Sequence, residues 1–168
     1  QLLFCVHVDT CLRCVDLINL RVKDLIDSHG RVRKNIEVKQ KKTARRVSCR
    51  LSEFTMDLTD RWVRSRKLDS NDPLFPSRES DLLGNLKPLG DKMYRNIVKE
   101  IAYKAGLDWE LYSSHSLRRT KPSIVYKETR DIETCRQLLG HSNVASTSLY
   151  LNISAEDALN KAEALHIM

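Results

Sequence analysis

Hydrophobic residues occur at every second position on either side of residues 41–44. These positions are Val32, Ile36 and Val38 before the gap, and Val47, Cys49 and Leu51 after it. A period of two is typical of strands with one buried face. The pattern therefore predicts an antiparallel β-hairpin whose turn lies at Lys41–Ala44.

Elsewhere hydrophobic residues recur every three or four positions, which is the period of an amphipathic helix. Two such series are Phe54, Leu58 and Trp62, and Met93, Ile97 and Ile101, while a shorter one comprises Ile132, Cys135 and Leu139. Gly106 and Gly140 follow the second and third series, where a left-handed residue ends a helix. Asn143 is placed to cap the next helix.

The remaining segments complete a mainly helical prediction. Residues 68–90, with Asp72-Pro73 and Pro76, are expected to be loop-rich. Ser154–Asp157 has the spacing of a capping box and is expected to open a final helix with Leu159, Ala162 and Leu165. The sequence thus predicts a mainly α fold with a small antiparallel β-hairpin (α+β), in one domain over residues 1–168.

Length and composition support a globular domain. The chain has 168 residues, 41% of them hydrophobic and 30% charged, with no apolar run long enough to cross a bilayer. The apolar opening, residues 1–8, is short and has no basic region before it, so we do not expect a signal peptide. Since no initiator Met is present, we expect a fragment of a longer protein.

The net charge of +7 is concentrated in one window, residues 31–50. Its basic residues are Arg31, Arg33, Lys34, Lys39, Lys41, Lys42, Arg45, Arg46 and Arg50, against the single acid Glu37. A localised basic stripe is typical of a polyanion partner, most often nucleic acid. The alternative is a solvated basic hairpin without a partner.

The five cysteines do not suggest a disulfide framework, because their number is odd and they are scattered. Cys11 and Cys14 form a CxxC pair, but no second pair completes a zinc site. We expect reduced thiols and no metal.

Two patterns in the second half of the chain carry candidate chemistry. One is His115-Ser-Leu-Arg118, and the other is Leu138-Leu-Gly-His141 followed nine residues later by Tyr150. The first is weak alone and the second is rarer by chance, and both together in this order are hard to dismiss. Guanidinium groups can each donate two hydrogen bonds to a phosphate, and a tyrosine hydroxyl can hold one covalently.

With these motifs the sequence resembles the catalytic domain of the tyrosine recombinases, the phage integrase family, along essentially the whole chain. The segment from Thr10 to Leu20 resembles the family's first arginine motif, with Asp16 three residues after Arg13. Lys42-Thr43 resembles its mobile lysine, and the two patterns above resemble its second arginine box and its closing histidine and nucleophile. The resemblance implies six catalytic residues: Arg13, Lys42, His115, Arg118, His141 and Tyr150.

The family chemistry assigns a role to each of these residues. Tyr150 would cut DNA by forming a 3′-phosphotyrosine, without metal or cofactor, while Arg13 and Arg118 bind the phosphate. Lys42 would protonate the leaving 5′-oxygen. His141 would hydrogen-bond the phosphate, His115 would assist proton movement or orient the tyrosine, and Asp16 would orient Arg13.

The residues alone leave simpler interpretations open. Arg13 can be a surface cation, His141 can interact with a helix C-terminus, and Tyr150 can be a half-buried core aromatic. Lys39 or Lys41 can take the place of Lys42, because a one-residue error in the turn would move the role.

The resemblance also implies the partners. Duplex DNA is the expected ligand, contacted by Arg31, Arg33, Lys39, Lys41, Arg45, Arg46 and Arg119 in addition to the catalytic residues. Self-association on DNA as a tetramer is expected, with residues 152–168 as a helical tail that either docks on a neighbouring protomer or packs on its own domain. A DNA-clamping domain would precede Gln1, and the protein, from a phage or other mobile element, would work in the bacterial cytoplasm at the nucleoid.

Two residues depart from the family pattern. Cys11 stands where many members have glycine, and Pro122 follows the second arginine box where its helix should continue. Because proline lacks an N–H, Pro122 either kinks that helix beside Arg118 or falls in its first turns. Two other functions stay open: DNA relaxation by a type IB topoisomerase, and a non-catalytic DNA-binding accessory protein that keeps the fold.

Overall fold

The computed structural model describes residues 1–153, together with residues 159 and 163. The predicted cap at Ser154–Asp157 and nearly all of the predicted final helix lie outside the described residues. None of the described helices is both long and apolar enough to cross a membrane.

The described residues are mostly helical, which confirms the predicted fold class. The helices are α1 (Leu2–Thr10), α2 (Cys14–Leu17), α3 (Val22–Leu25), α4 (Glu53–Arg66), α5 (Asp91–Lys104), α6 (Ser114–Thr129), α7 (Ile132–Leu139) and α8 (Val144–Tyr150), with a 3₁₀ turn at Trp109–Leu111. The strands are β1 (Asn35–Lys39), β2 (Arg46–Arg50), β3 (Pro76–Ser80) and β4 (Leu86–Pro88).

The predicted hairpin is confirmed. Strands β1 and β2 pair antiparallel, with Ile36 opposite Cys49 and Lys39 opposite Arg46. Ile36, Val47 and Cys49 are buried in the core. The intervening residues are exposed, so one face of the hairpin packs on the core and the other, polar face is in contact with solvent.

The expectation of a loop over residues 68–90 is wrong in part, because β3 and β4 form a second antiparallel hairpin there. The pairing is irregular, and both strands are exposed or half-buried along their length. Leu82 and Leu83 at its turn are fully exposed. The alternation that reveals a half-buried strand is missing here because neither face of this hairpin is buried.

Helices α4 and α5 form where the periodicity predicts them, but the buried faces differ. In α5 the buried residues are Tyr94, Val98 and Ala102, one position after the predicted series, while Met93 and Ile101 are exposed. Phe54 of α4 is likewise exposed. Two series of positions, one residue apart, both have the period of this helix. The series that is buried is the less hydrophobic of the two.

The predicted helix ends are confirmed. Gly106 and Gly140 adopt left-handed conformations with φ of 71° and 62°. At Gly140 a side chain is also excluded, since a Cβ atom would lie 2.6 Å from Cγ2 of Val47. Asn143 caps α8 by accepting a hydrogen bond from the Ser146 N–H at 2.8 Å. The conformation of Gly140 and the cap at Asn143 therefore fix the backbone between α7 and α8.

Helix α1, which the sequence analysis does not predict, lies beside α4 and α6. Its buried residues Val6 and His7 are fully enclosed. Helix α6 runs through Pro122 to Thr129, so this proline lies in the middle of the helix rather than in its first turn. The five cysteines, all within the described residues, form no disulfide, as predicted.

Cys11 ends α1 in the left-handed conformation, with φ of 52°. This conformation explains why glycine suits the position, since a Cβ atom there costs about 1–2 kcal/mol. We therefore expect Cys11→Gly to be more stable than Cys11→Ala by about 1 kcal/mol, because both lose the buried thiol and only glycine removes the strain. Urea unfolding at pH 7 measures the difference.

Cys5 provides the matched comparison, because it lies within α1 in ordinary helical conformation. There the order should reverse, with Cys5→Gly less stable than Cys5→Ala by about 0.5–1 kcal/mol. The same order at both positions would contradict the strain assigned to Cys11.

Candidate active site

Four segments bring five of the six predicted catalytic residues close to one another. Arg13 immediately precedes α2, His115 and Arg118 lie in the first turns of α6, His141 follows α7, and Tyr150 ends α8. An open cleft of about 540 Å³ is lined by residues of three of these segments and of the β1–β2 turn: Arg13, Thr43, Arg45, Gly140, His141, Ser142, Ser146, Leu149 and Tyr150. The cleft thus combines a hydroxyl, an imidazole and guanidinium groups.

Tyr150 is half-buried and surrounded by the other motif residues. Its hydroxyl lies 3.4 Å from Nδ1 of His115. The His141 ring packs edge-on at a centroid distance of 5.3 Å, and Cζ of Arg118 lies 5.6 Å from the ring centroid. Burial raises the pKa of Tyr150, and the positive charges of Arg118, Arg119 and Arg13 partly oppose that rise. The hydroxyl is therefore neutral at physiological pH, with a proton acceptor beside it and cations around it.

Arg118 is a buried cation that is only partly satisfied. Its side chain is 2% exposed, and Nη2 donates to the Leu139 carbonyl oxygen at 2.6 Å. Among the described residues, its Nε has no hydrogen-bond partner. Burial is the main cause that lowers the pKa of Arg118. A buried guanidinium with an unused donor, next to a reactive hydroxyl, is suited to bind an oxyanion.

Arg13 is oriented by a residue that the sequence analysis does not identify. Its Nη1 donates to Oε1 of Gln40 at 2.6 Å. Asp16, the residue expected to orient Arg13, instead accepts a hydrogen bond from the Lys41 N–H at 2.8 Å. The carboxylate thus holds the hairpin turn, and the orienting contact comes from Gln40, which has no distinctive sequence signal.

His141 is held in a neutral state. Burial, with the charges of Arg118 and Arg13, lowers its pKa to about 4. Its Nδ1 lies 3.1 Å from Oγ1 of Thr147, a fully buried hydroxyl. If that hydroxyl donates to Nδ1, the ring proton is on Nε2, which can then donate to a ligand in the cleft.

Lys42 lies in the exposed turn between β1 and β2. Its neighbours Thr43 and Arg45 line the cleft, whereas Lys42 is not among the described lining residues. Lys39 and Lys41 are also exposed. The structure thus places the turn beside the cleft, and the role of Lys42 stays a prediction.

The predicted DNA-contacting residues lie in three parts of the fold. Arg31 and Arg33 precede β1, and Arg31 pairs with Asp27. Lys39, Lys41, Arg45 and Arg46 lie at the end of the hairpin next to the cleft, where Arg46 pairs with Glu37 at 3.2 Å. Arg119 is half-buried, and its charge acts on Tyr150. The four hairpin residues therefore lie closer to the cleft than Arg31 and Arg33 do.

His7 is a second supporting residue that no sequence pattern marks. It is fully buried in α1, where its Nε2 contacts the Leu12 carbonyl oxygen at 2.8 Å and its Nδ1 contacts the Tyr94 hydroxyl. Burial lowers its pKa to about 4. The neutral ring donates from Nε2 and accepts at Nδ1, which fixes the backbone immediately before Arg13.

Within the described residues, no group of three or more His, Cys, Asp or Glu side chains is arranged to hold a metal ion.

Comparisons with known proteins identify the family and related structures. The family model described as the phage integrase family matches residues 1–157. The chain is 36% identical over 80 residues to the tyrosine recombinase XerC of Caldanaerobacter subterraneus subsp. tengcongensis, covering 45% of this chain and 23% of that protein. It is 27% identical over 162 residues to the tyrosine recombinase XerD of Rickettsia conorii, covering 92% of this chain and 52% of that protein.

A solved structure shares the fold. The XerH site-specific recombinase bound to a palindromic difH substrate, in a post-cleavage complex, superposes with a TM-score of 0.77 at 24% identity. The superposition covers 98% of this chain and 44% of that one. The chain thus spans about half the length, or less, of these relatives.

Proposed function

The chain belongs to the phage integrase family, and we propose that it is the catalytic domain of a site-specific recombinase that cuts and rejoins duplex DNA. The observation that carries the proposal is the packing of Arg118 and His141 against the ring of Tyr150, at a cleft that Arg13, His141 and Tyr150 line. A nucleophile, a clamp for negative charge and a neutral hydrogen-bond donor are the groups that phosphoryl transfer to a protein hydroxyl requires.

In the cleavage step the Tyr150 oxygen attacks a backbone phosphorus atom. The new O–P bond forms as the bond from phosphorus to the 5′-oxygen breaks, which leaves the 3′ phosphate on the tyrosine. His115, 3.4 Å from the hydroxyl, is placed to accept its proton. Arg13 and Arg118 donate to the non-bridging oxygens, where charge accumulates in the transition state, and Nε2 of His141 supplies a further donor.

The leaving 5′-oxygen takes a proton, for which Lys42 is the proposed donor. In rejoining, a 5′-hydroxyl attacks the phosphotyrosine, and the same steps run in reverse. The phosphodiester bond energy is kept in the intermediate, so strand exchange proceeds without a cofactor. In this scheme the guanidinium groups supply the charge stabilisation that a metal ion provides in other phosphoryl-transfer enzymes.

The proposed partners follow from the same reasoning. Duplex DNA is supported by the basic hairpin beside the cleft and by the DNA-bound state of a structural neighbour. Assembly as a tetramer on DNA, action on bacterial DNA in the cytoplasm, and a DNA-clamping domain before Gln1 complete the proposal. Residues 152–168 are the proposed contact with a neighbouring protomer.

A covalent adduct tests the proposal. The protein is incubated with supercoiled plasmid in EDTA, the reaction is stopped with SDS, and DNA-linked protein is isolated and digested. We expect a peptide containing residue 150 linked to a 3′ phosphate. Relaxed plasmid without strand exchange between two sites would favour a topoisomerase, and DNA binding without any adduct would favour an accessory protein.

The role of Lys42 is tested by changing the leaving group. Lys42→Ala should slow cleavage about 10²–10⁴-fold, the range for loss of a general acid. A duplex from the mapped cleavage site with sulfur in place of the bridging 5′-oxygen should restore most of the rate, because a thiolate leaves without a proton. The rates of adduct formation are measured on both duplexes.

Lys39→Ala and Lys41→Ala are the matched variants, since both lysines flank the same turn. They should weaken DNA binding on both duplexes without sulfur rescue. Rescue of either one, in place of Lys42→Ala, would move the general acid to that position.

A further inference from the structure

Gln40 lies at the junction between β1 and the basic turn. It is 1% exposed, although its neighbours Lys39 and Lys41 are exposed. Its backbone closes the turn, because its N–H donates to the Arg45 carbonyl and its carbonyl accepts from the Ala44 N–H. A buried glutamine needs partners for its amide, and those partners show what it connects.

The side-chain oxygen of Gln40 accepts two hydrogen bonds. One comes from Nη1 of Arg13 at 2.6 Å, and the other from Oγ1 of Thr43 at 2.8 Å. Its amide nitrogen lies so close to Gly140 that a Cβ atom there would be 2.9 Å away. One side chain therefore contacts the phosphate-binding arginine, the hairpin turn and the residue before His141.

These contacts make the position of Arg13 depend on the position of the turn. The two lone pairs of the Gln40 oxygen accept from Arg13 and from Thr43, so a movement of the turn changes the hydrogen bond to Arg13. The bond from the Lys41 N–H to Asp16 is a second link between the same two segments. Among the described residues Arg13 donates a hydrogen bond to Gln40, so its other N–H groups can bind a ligand in the cleft, which Arg13 lines.

We propose that Gln40 is a positioning residue that couples Arg13 to the turn carrying Lys42. The position of the arginine that binds the phosphate then depends on the position of the lysine that donates the proton. The coupling in catalysis rests on the function proposed above for Arg13 and Lys42. The physical link between the two segments does not depend on that function, and the two parts are tested separately.

Hydrogen exchange tests the physical link. Gln40→Leu keeps the volume and removes both hydrogen bonds, so exchange should become about fivefold faster or more in residues 41–45 and in residues 11–16. Thr43→Val should accelerate exchange only in the turn. Gln137→Leu, the same change at an exposed glutamine of α7 that bonds Glu133, should alter neither segment. Wild-type exchange in both segments of Gln40→Leu would overturn the proposal.

Adduct formation tests the coupling in catalysis. At saturating DNA, Gln40→Leu should slow the adduct about tenfold or more per folded molecule, because Arg13 is misplaced, while the affinity for DNA changes less than threefold. Gln40→Glu should restore most of the rate, since a carboxylate oxygen accepts from Arg13 and Thr43. An unchanged rate in Gln40→Leu would refute the coupling alone. Absence of an adduct in the wild type would refute the proposed function and the catalytic coupling with it, whereas the physical link is decided by hydrogen exchange.

Discussion

Replacing Tyr150 by phenylalanine should abolish the covalent protein–DNA complex. The substitution keeps the ring, with its contacts to His141 and Arg118, and removes only the oxygen that would bond to phosphorus. No residual rate is expected through this route, because without the hydroxyl the phosphate has no atom to bind covalently. The measurement is the amount of SDS-resistant protein–DNA complex over time, with a detection limit of at least 10³ below the wild type.

The stability of Tyr150→Phe should hardly change. The lost hydrogen bond to His115 is long, at 3.4 Å, so the free energy of unfolding should fall by less than about 1 kcal/mol. Tyr103→Phe is the matched control, since Tyr103 is an exposed tyrosine on α5 and should form the adduct at the wild-type rate. An adduct that persists in Tyr150→Phe would mean that another side chain is the nucleophile.

The candidate site was predictable where chemistry depends on residue type and order. Arg118, His141 and Tyr150 stand at fixed spacings in the sequence, and the structure packs Arg118 and His141 against the Tyr150 ring. The spacing of His141 and Tyr150 is informative because both sit at helix boundaries, and Gly140 and Asn143 mark two such boundaries in the sequence. Helix-boundary residues at fixed spacings can be recognised in a single sequence because they lie close together in the chain.

The supporting contacts were not predictable, because they join segments that are distant in the chain. Gln40 meets Arg13 across 27 residues, and His7 meets Tyr94 across 87. Neither residue belongs to a periodic pattern, and nothing in its type indicates its partner. Asp16 shows the same limit, since its acidic character suggested a bond to Arg13, while the folded chain gives it the Lys41 N–H.

The fold shows a similar division. The β1–β2 hairpin has one buried face, so its alternation was visible, whereas β3–β4 is exposed and left no pattern. In α5 the helix was evident, but Tyr94 and Ala102 rather than Met93 and Ile101 are buried. Which face is buried depends on the neighbouring elements, and a single sequence does not contain their positions.

Arg118→Lys should slow adduct formation about 10²–10³-fold, the loss expected when one donor to a developing oxyanion is removed. The charge is kept, but the planar guanidinium is lost. In the wild type Nη2 donates to the Leu139 carbonyl at 2.6 Å, and the Nε–H has no partner among the described residues. A single ammonium group cannot occupy both of these donor positions. Because the side chain is buried, the substitution should also lower the free energy of unfolding, by about 1–3 kcal/mol. Single-turnover rates are therefore compared per folded molecule, at temperatures well below the unfolding transition.

Arg119→Lys, on the next residue of α6, separates geometry from charge. Arg119 is half-buried and its charge acts on Tyr150, so its lysine variant, which keeps that charge, should slow the adduct less than tenfold. Losses of less than tenfold in both variants would mean that net positive charge, which lysine keeps, stabilises the transition state rather than the directed donors of Arg118. A large loss in Arg118→Lys alone would instead assign catalysis to the fixed guanidinium between Tyr150 and Leu139, since both variants carry the same charge.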